Sequence, residues 1–363
     1  MVEARTLHPI SGQLRSEAAL VSIPAGYRAP MVVQIKDVAK YANTSPSTVS
    51  QVLNGRPTTI RVSEATRKRV LKAASTLGYR ANPIAQSLRT RRTATIGIVF
   101  QGMQDNAQRI EALHLRANEA GYQLLLAISG AKAERQEHEI ERLLHLKIDG
   151  LAILSPSLEQ VKQPTLSSLV KQKFPLVGIG PLLVEGADNV DWDRVRAYKQ
   201  ITKHLLQRGC TRFLFYGHAD TPGVKMRIEG IKEALAEAGR GDLRLARSDL
   251  DTRKGIKQHL ASDWPNAVIC STDQLAAQVM QAAAESGRSI PDEMAVTGCS
   301  DLEFSALLTV PLTTIRMPHV ELASAALSRL IDTIENPSSR NEPQHTLLPA
   351  EVVIRKSSEY RAP

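Results

Sequence analysis

Ser45, Pro46, Ser47, Thr48, Ser50 and Gln51 fall within one short stretch of the chain. Ser and Thr hydroxyls bond phosphates or base edges, and a Gln amide can pair with adenine through two hydrogen bonds. That is the chemistry of reading a duplex. It requires these side chains on the outer face of a helix that can enter a major groove. The apolar residues around them predict such a helix. Ile35, Val38 and Ala39 recur at helical spacing, so Lys36 to about Ala42 reads as a short amphipathic helix. Asn43-Thr44-Ser45 interrupts the pattern with turn formers. Ser45 is a good N-cap and Pro46 suits the first helical position. A second helix then runs to about Leu53, with Val49, Val52 and Leu53 as its apolar face, and Asn54-Gly55 stops it. Thr48 has two readings, capping the turn or contacting a base, and the sequence leaves both open. Two short helices joined by a tight turn make a helix-turn-helix.

The elements that follow keep the same character. Ser63 caps a third helix, about Glu64 to Leu77, with Val70, Leu71, Ala74 and Leu77 on one face and Gly78 at its end. Asn82-Pro83 opens a short helix to about Arg89. Helices below ~12 residues are marginal in water, so this one needs a partner to form. Residues 31–92 hold twelve Lys and Arg against two acids, a net of +10. That density points to a phosphate backbone as the partner. The whole chain of 363 residues carries +9, so the basicity is confined to this segment and the remainder is nearly neutral.

From Ile96 the pattern changes to apolar strands alternating with amphipathic helices. Strands are expected at Ile96–Phe100, Gln123–Ile128, Gly150–Leu154, Leu176–Ile179, Phe213–Tyr216, Ala267–Cys270 and Met294–Gly298. Helices fall between them, as at Glu134–Leu146, Val195–Gln207, Val224–Ala238 and Gln274–Glu285. Alternation of this kind implies parallel sheets covered on both faces. HTLLPAEVVIRKSS near the C-terminus is strand-like. Three cysteines, Cys210, Cys270 and Cys299, show no CxxC pairing and read as buried reduced thiols. The histidines lack metal-ligand spacing, and no Walker loop, GxSxG elbow or GxGxxG fingerprint is present. No metal, cofactor or catalytic group is therefore expected, and no apolar run reaches the length of a membrane span. Residues 1–30 have little periodicity and no signal-peptide core, and read as a disordered leader.

IKDVAKYANTSPSTVSQVLNG, then RVSEATRKRVLKAASTLGYRANPIAQSLRTRRTATIGIVF, closely resembles the LacI-type bacterial transcription repressors; DGLAILSP and PLTTIRMP add later matches. The resemblance covers about Gln34 to Ser357. It implies an N-terminal all-α helix-turn-helix domain plus an α/β effector domain of two Rossmann-like lobes, like the periplasmic sugar-binding proteins. The implied boundaries are 31–80 for the helix-turn-helix, 81–93 for a hinge helix and linker, and 94–357 for ligand binding and dimerisation. DNA contacts are implied for Ser45, Pro46, Ser47, Thr48, Ser50, Gln51 and Asn54, and on the hinge for Asn82, Ala85, Gln86, Leu88 and Arg89. Leu88 matches a leucine that wedges between base pairs in the minor groove; its competing role is packing on the next domain. Many relatives carry Arg where Gln51 stands, so no operator sequence can be inherited.

For the cleft, the resemblance implies Arg227 (in RIEG) and Asp273 (in STDQLA) as ligand contacts, with Asp193 and Asp301 at the cleft edge and Gln101 and Asp105 after the first strand. The competing readings are a helix-surface cation for Arg227 and a helix N-cap for Asp273. Trp192 reads as a packing residue that could also stack on a sugar ring. QGMQDNAQRIEALH replaces the aromatic loop usual after the first strand, so the ligand is smaller or more polar than usual, or small-molecule binding is lost. The expected protein is a cytoplasmic homodimeric repressor, not an enzyme. It would bind a pseudo-palindromic double-stranded operator under the control of a small effector, a sugar or sugar derivative. The rivals are control by a protein corepressor, or a solute receptor.

Overall fold

The structure, a computed structural model, describes residues 33–54, 62–79, 92–103, 106–130, 132–154, 164–181, 186–217, 221–247, 252–260, 264–337 and 342–361. The chain divides into two compact units, one ending at Pro83 and the other starting at Ile84. The predicted hinge helix, with Asn82, Ala85, Gln86, Leu88 and Arg89, lies outside the described residues, as do the leader and Asp105.

The first unit contains α1 (Ile35–Tyr41), α2 (Pro46–Asn54) and α3 (Glu64–Thr76). Val38, Ala39, Ala42, Val49, Val52, Val70, Ala73 and Ala74 form its core. On α3 the predicted face is corrected. Ala73 is buried and Leu71 is 48% exposed, because from Val70 the inward positions are three, four and seven residues on. Asn43 takes φ 50°, a left-handed conformation that Asn tolerates, and this reverses the chain between α1 and α2.

The second unit begins with β1 (Thr95–Phe100), α4 (Ala107–Glu119), β2 (Gln123–Ile128), α5 (Ala133–His145), β3 (Gly150–Leu154), α6 (Pro164–Lys171), β4 (Leu176–Ile179) and β5 (Asp188–Trp192). It continues with α7 (Arg194–Gln207), β6 (Arg212–Gly217), α8 (Pro222–Ala238), β7 (Asp242–Arg247), α9 (Thr252–Leu260), β8 (Ala267–Cys270), α10 (Asp273–Glu285), β9 (Ala295–Cys299), α11 (Glu303–Leu307) and β10 (Thr313–Arg316). The chain ends with α12 (His319–Glu335), β11 (His345–Leu348) and β12 (Glu351–Val353). Two six-stranded sheets result, ordered β11-β5-β4-β3-β1-β2 and β12-β10-β9-β8-β6-β7. Every pairing is parallel except β10 with β12.

All seven predicted strands are present. The run HTLLPAEVVIRKSS is not one strand but two: Pro349-Ala350 divides it, and each half joins a different sheet. The chain thus passes between the sheets three times, at Asp193, at Met317-Pro318 and at Pro349-Ala350. The first crossing is tied to the third by Asp193 N–H donating to Leu348 O at 2.9 Å. The second leads into α12, which packs on β3, β4, β5 and α4 of the first lobe. Where residue 93 enters that lobe, Asp149 accepts from the backbone N–H groups of Thr93 (3.0 Å) and Thr95 (3.3 Å), and Arg92 donates to Ile334 O at the end of α12 (2.6 Å). The three cysteines are buried and free, and burial pushes the Cys210 thiol up to about 12.

Two expected outcomes follow from this packing. α7 and α8 cross with Gly230 against the backbone: a Cβ there would overlap Val195 O and stand 3.1 Å from Lys199 N. Backbone cannot move aside cheaply, so Gly230→Ala should lower stability by roughly 1–3 kcal/mol, read from urea unfolding. His319 opens α12, and burial first, then the nearby Arg109 charge, push its imidazole down to about 4. In the unfolded chain a His titrates near 6.5, so the unfolded state takes up the proton first as pH falls. His319 should therefore contribute full stability above 6.5 and lose it on acidification towards 4. The loss should be on the order of 2 kcal/mol between pH 7 and pH 5, and His319→Asn should flatten it in urea titrations at the two pH values.

Candidate nucleic-acid interface and ligand cleft

The residues expected to read a duplex lie on α2, and Ser45 fixes its start. The Ser45 hydroxyl accepts from Thr48 N–H at 3.1 Å and lies 2.8 Å from Thr48 Oγ1 and 2.7 Å from Ser47 Oγ. Ser45 Oγ thus meets one of the first-turn N–H groups that α2 cannot satisfy internally. Ser45 is the cap, and the Thr48 hydroxyl lies within hydrogen-bond distance of it. Pro46 and Ser47 are exposed, and Ser50 and Gln51 are half-buried beside the inward Val49 and Val52. Asn54 is the last residue of α2. Lys36 and Lys40 on α1, and Arg67, Lys68, Arg69 and Lys72 on α3, are exposed, so the short core is ringed by cations.

In the second unit the strands of both sheets direct their C-terminal ends to the region where a parallel α/β fold places ligands. β1 brings Gln101 there, half-buried. β5 ends at Trp192, which is fully buried. The next residue, Asp193, caps α7 by accepting from Arg196 N–H at 2.9 Å. Arg194 is 5% exposed and forms an ion pair with the buried Asp191. Its guanidinium carbon lies 4.5 Å from the Trp192 ring centroid. Arg227, in the second turn of α8, approaches the same ring at 6.0 Å and the Tyr198 ring at 5.7 Å. The structure therefore gathers Arg227, Asp193 and Trp192 around the first crossing. It adds Arg194 and Asp191, which the sequence did not single out because arginine is rarely buried.

The helix-cap reading of Asp273 is corrected, and its carboxylate is engaged by protein donors. Thr272 caps α10, accepting from Leu275 N–H at 3.2 Å. Asp273 is fully buried, and its Oδ1 accepts from Thr314 Oγ at 2.5 Å. Its Oδ2 accepts from Leu302 N–H at 2.9 Å and Ser305 Oγ at 2.8 Å. Burial pushes its carboxyl above the usual carboxylate range, and the bonds from Thr314, Leu302 and Ser305 oppose that rise. Gly298 leaves room for it, since a Cβ there would collide with Oδ1. Asp273 thus ties the segment after β9 to β10. That segment is bent sharply: Ser300 and Asp301 have φ 133° and 53°. Asp301 is held between Arg316 Nε and Arg355 Nη2, each at 2.7 Å. With Gln108, Ser300, Met317 and His319 it lines a groove of about 610 Å3.

Residues 34–82 match the family described as bacterial regulatory proteins, lacI family, and residues 202–358 match a periplasmic binding protein-like domain. The HTH-type transcriptional repressor PurR of Aliivibrio fischeri (strain MJ11) is 30% identical over 336 residues, covering 89% of this chain and 97% of that protein. The ribose operon repressor of Haemophilus influenzae is 29% identical over 337 residues, covering 90% of this chain and 98% of that protein. A lac repressor dimer bound to operator and the anti-inducer ONPF superposes with a TM-score of 0.77 at 24% identity, covering 90% and 99% of the two chains. With helix-turn-helix, two-lobed α/β fold and near full-length similarity in agreement, the chain belongs to the lacI family of bacterial regulatory proteins, which are DNA-binding transcription regulators and not enzymes.

Proposed function

We propose that this protein is a homodimeric repressor that binds a pseudo-palindromic operator through α2 and is controlled by a small metabolite between its two lobes. The observation that carries the reading is a Ser45-capped, outward-facing α2 on the same chain as a two-lobed fold with buried polar groups at its strand ends. Two copies would place two α2 helices on successive turns of one duplex face. The β2 edge supports a second copy, because it leaves Leu126 and Ile128 about half exposed, beside an equally exposed Leu115 on α4. Contiguous apolar surface of this kind on a sheet edge is a contact surface. One relative is named as a ribose operon repressor, which favours a small metabolite, a sugar or sugar derivative, as effector. Among the described residues no helix is long and apolar enough to cross a membrane; the repressor reading places the protein in the cytoplasm with its operator. Ligand acts by binding one lobe arrangement better than the other, which shifts operator affinity.

Two measurements test this reading. Selection from a randomised duplex library should return a two-fold symmetric site, and a metabolite panel should change the affinity for that site. A sequence with no symmetry would refute the dimeric operator. A full panel without effect, with affinity changed only by a second protein, would replace the metabolite by a protein corepressor. Gln51→Ala should cost roughly 1–3 kcal/mol of specific affinity and relax preference at one position in each half-site. Leu88→Ala should instead reduce DNA bending and leave the half-site preference intact, read by circular-permutation mobility.

A further inference from the structure

The chain enters the α/β unit through a short clasp. Arg92 is exposed, and its Nη2 donates to Ile334 O at 2.6 Å. Ile334 lies in the last turn of α12, where the final carbonyls have no donor within the helix. A guanidinium there also meets the negative end of the helix dipole. The next three residues are each pinned. Thr93 N–H donates to Asp149 Oδ1 at 3.0 Å, and its hydroxyl donates to Lys147 O at 2.8 Å. Ala94 O accepts from Gln123 N–H at 2.8 Å. Thr95 N–H donates to Asp149 Oδ2 at 3.3 Å, and Thr95 O accepts from Asp149 N–H at 2.7 Å. Between the two threonines Ala94 takes φ 51°, a left-handed conformation that alanine rarely adopts. Such a residue persists only where its surroundings over-determine it. One carboxylate holding the N–H on either side of Ala94 does that. Both anchors rest on the start of β3: Asp149 precedes Gly150, and a Cβ on Gly150 would stand 2.9 Å from Ile334 Cδ1. Tyr122 is buried beside them. Burial raises its hydroxyl above the usual value, Glu335 and Asp149 add to the rise, and Arg92 opposes it.

β1 begins only at Thr95, so the bend at Ala94 and the bond from Arg92 lie before the sheet and orient the chain that leads into it. That chain is the covalent path to the helix-turn-helix. A homodimer on a pseudo-palindrome must hold two α2 helices at one separation. Each base pair added between half-sites moves them apart by about 3.4 Å and turns one by about 35°. We propose that Arg92 and Asp149 are positioning residues: they fix the direction in which the chain leaves the α/β unit, and so set the half-site spacing that the two α2 helices accept. This rests on the homodimeric operator reading above and adds what selects the spacing. Arg92 holds the departing chain against the end of α12, and Asp149 holds the bend at Ala94.

The full-length chain is titrated at constant ionic strength with duplexes that carry the half-site returned by selection. The half-sites stand at the selected spacing and at spacings one and two base pairs shorter and longer. Wild-type protein should favour one spacing over its neighbours by roughly tenfold or more. Arg92→Ala removes the donor and should reduce that preference to about threefold or less, whereas Arg92→Lys keeps a donor and should retain most of it. Asp149→Asn leaves one acceptor for two N–H groups and should relax the preference in the same way. Urea unfolding of each variant without DNA shows whether it is folded, and the exposed Arg92 carries the test if Asp149→Asn is not. The proposal is overturned if wild-type protein shows no spacing preference, or if Arg92→Ala keeps it. It is overturned equally if Arg92→Ala weakens every spacing alike. With a salt slope smaller by about one, Arg92 is then a phosphate contact, and with an unchanged slope its role is structural. A selection that returns no two-fold symmetric site would remove the operator reading and the clasp with it. A symmetric site whose spacing preference is unaltered in the variants would remove the clasp alone.

Discussion

The second unit depends on a buried charge being tolerated at the first crossing between its sheets. Taking a guanidinium out of water costs several kcal/mol even after relaxation. At Arg194 the cost is offset by Asp191 and by the face of Trp192, with the guanidinium carbon 4.5 Å from the ring centroid. Burial pulls the Arg194 pKa down and Asp191 pulls it back, so the pair survives as a pair or not at all. The crossing backbone, the cap on α7 by Asp193 and the bond from Asp193 to Leu348 all sit within one turn of this ion pair. The position of the lobes at the crossing is thus set by electrostatics rather than by apolar packing alone. The buried carboxylate of Asp273 is handled differently, by three neutral donors and no cation.

The division of charge between the two units has the same logic. The basic segment holds a net of +10 within 62 residues and only a small core, so it gains affinity for a duplex from phosphates and register from side chains. The larger unit keeps its ions in pairs, as in Asp301 between Arg316 and Arg355 or Lys199 against Glu233 and Glu237. The buried Arg194 follows the same rule through Asp191.

Local signals made the first unit and seven of the strands legible in the sequence. Ser45-Pro46 and Ser63-Glu64 announce helix starts because a cap and its first turn are adjacent in sequence. The central strands are continuous apolar runs, which parallel sheets buried on both faces require. Strands with polar residues were harder. DLRLAR of β7 is exposed along much of its length and reads as a polar loop, and DNVDW of β5 hides its strand behind two aspartates. The division of HTLLPAEVVIRKSS between sheets was invisible, because nothing near Pro349 states which sheet is its neighbour. The site was legible only in part. Arg227 came from a motif, but the role of Asp273 depends on Thr314, a residue distant in sequence.

Three crossings also make each lobe discontinuous in the chain, and that bears on synthesis. The first lobe needs α12 and β11, which lie beyond residue 318, although β1 to β5 are complete at Trp192. Until then Gly150 lacks Ile334 and Leu330 above it, and β5 lacks its outer neighbour. A ribosome moving from the N-terminus therefore releases a half-covered sheet and must make nearly the whole second lobe before the cover arrives. The helix-turn-helix, finished within the first 80 residues, carries no such debt and can fold while the rest is still being made.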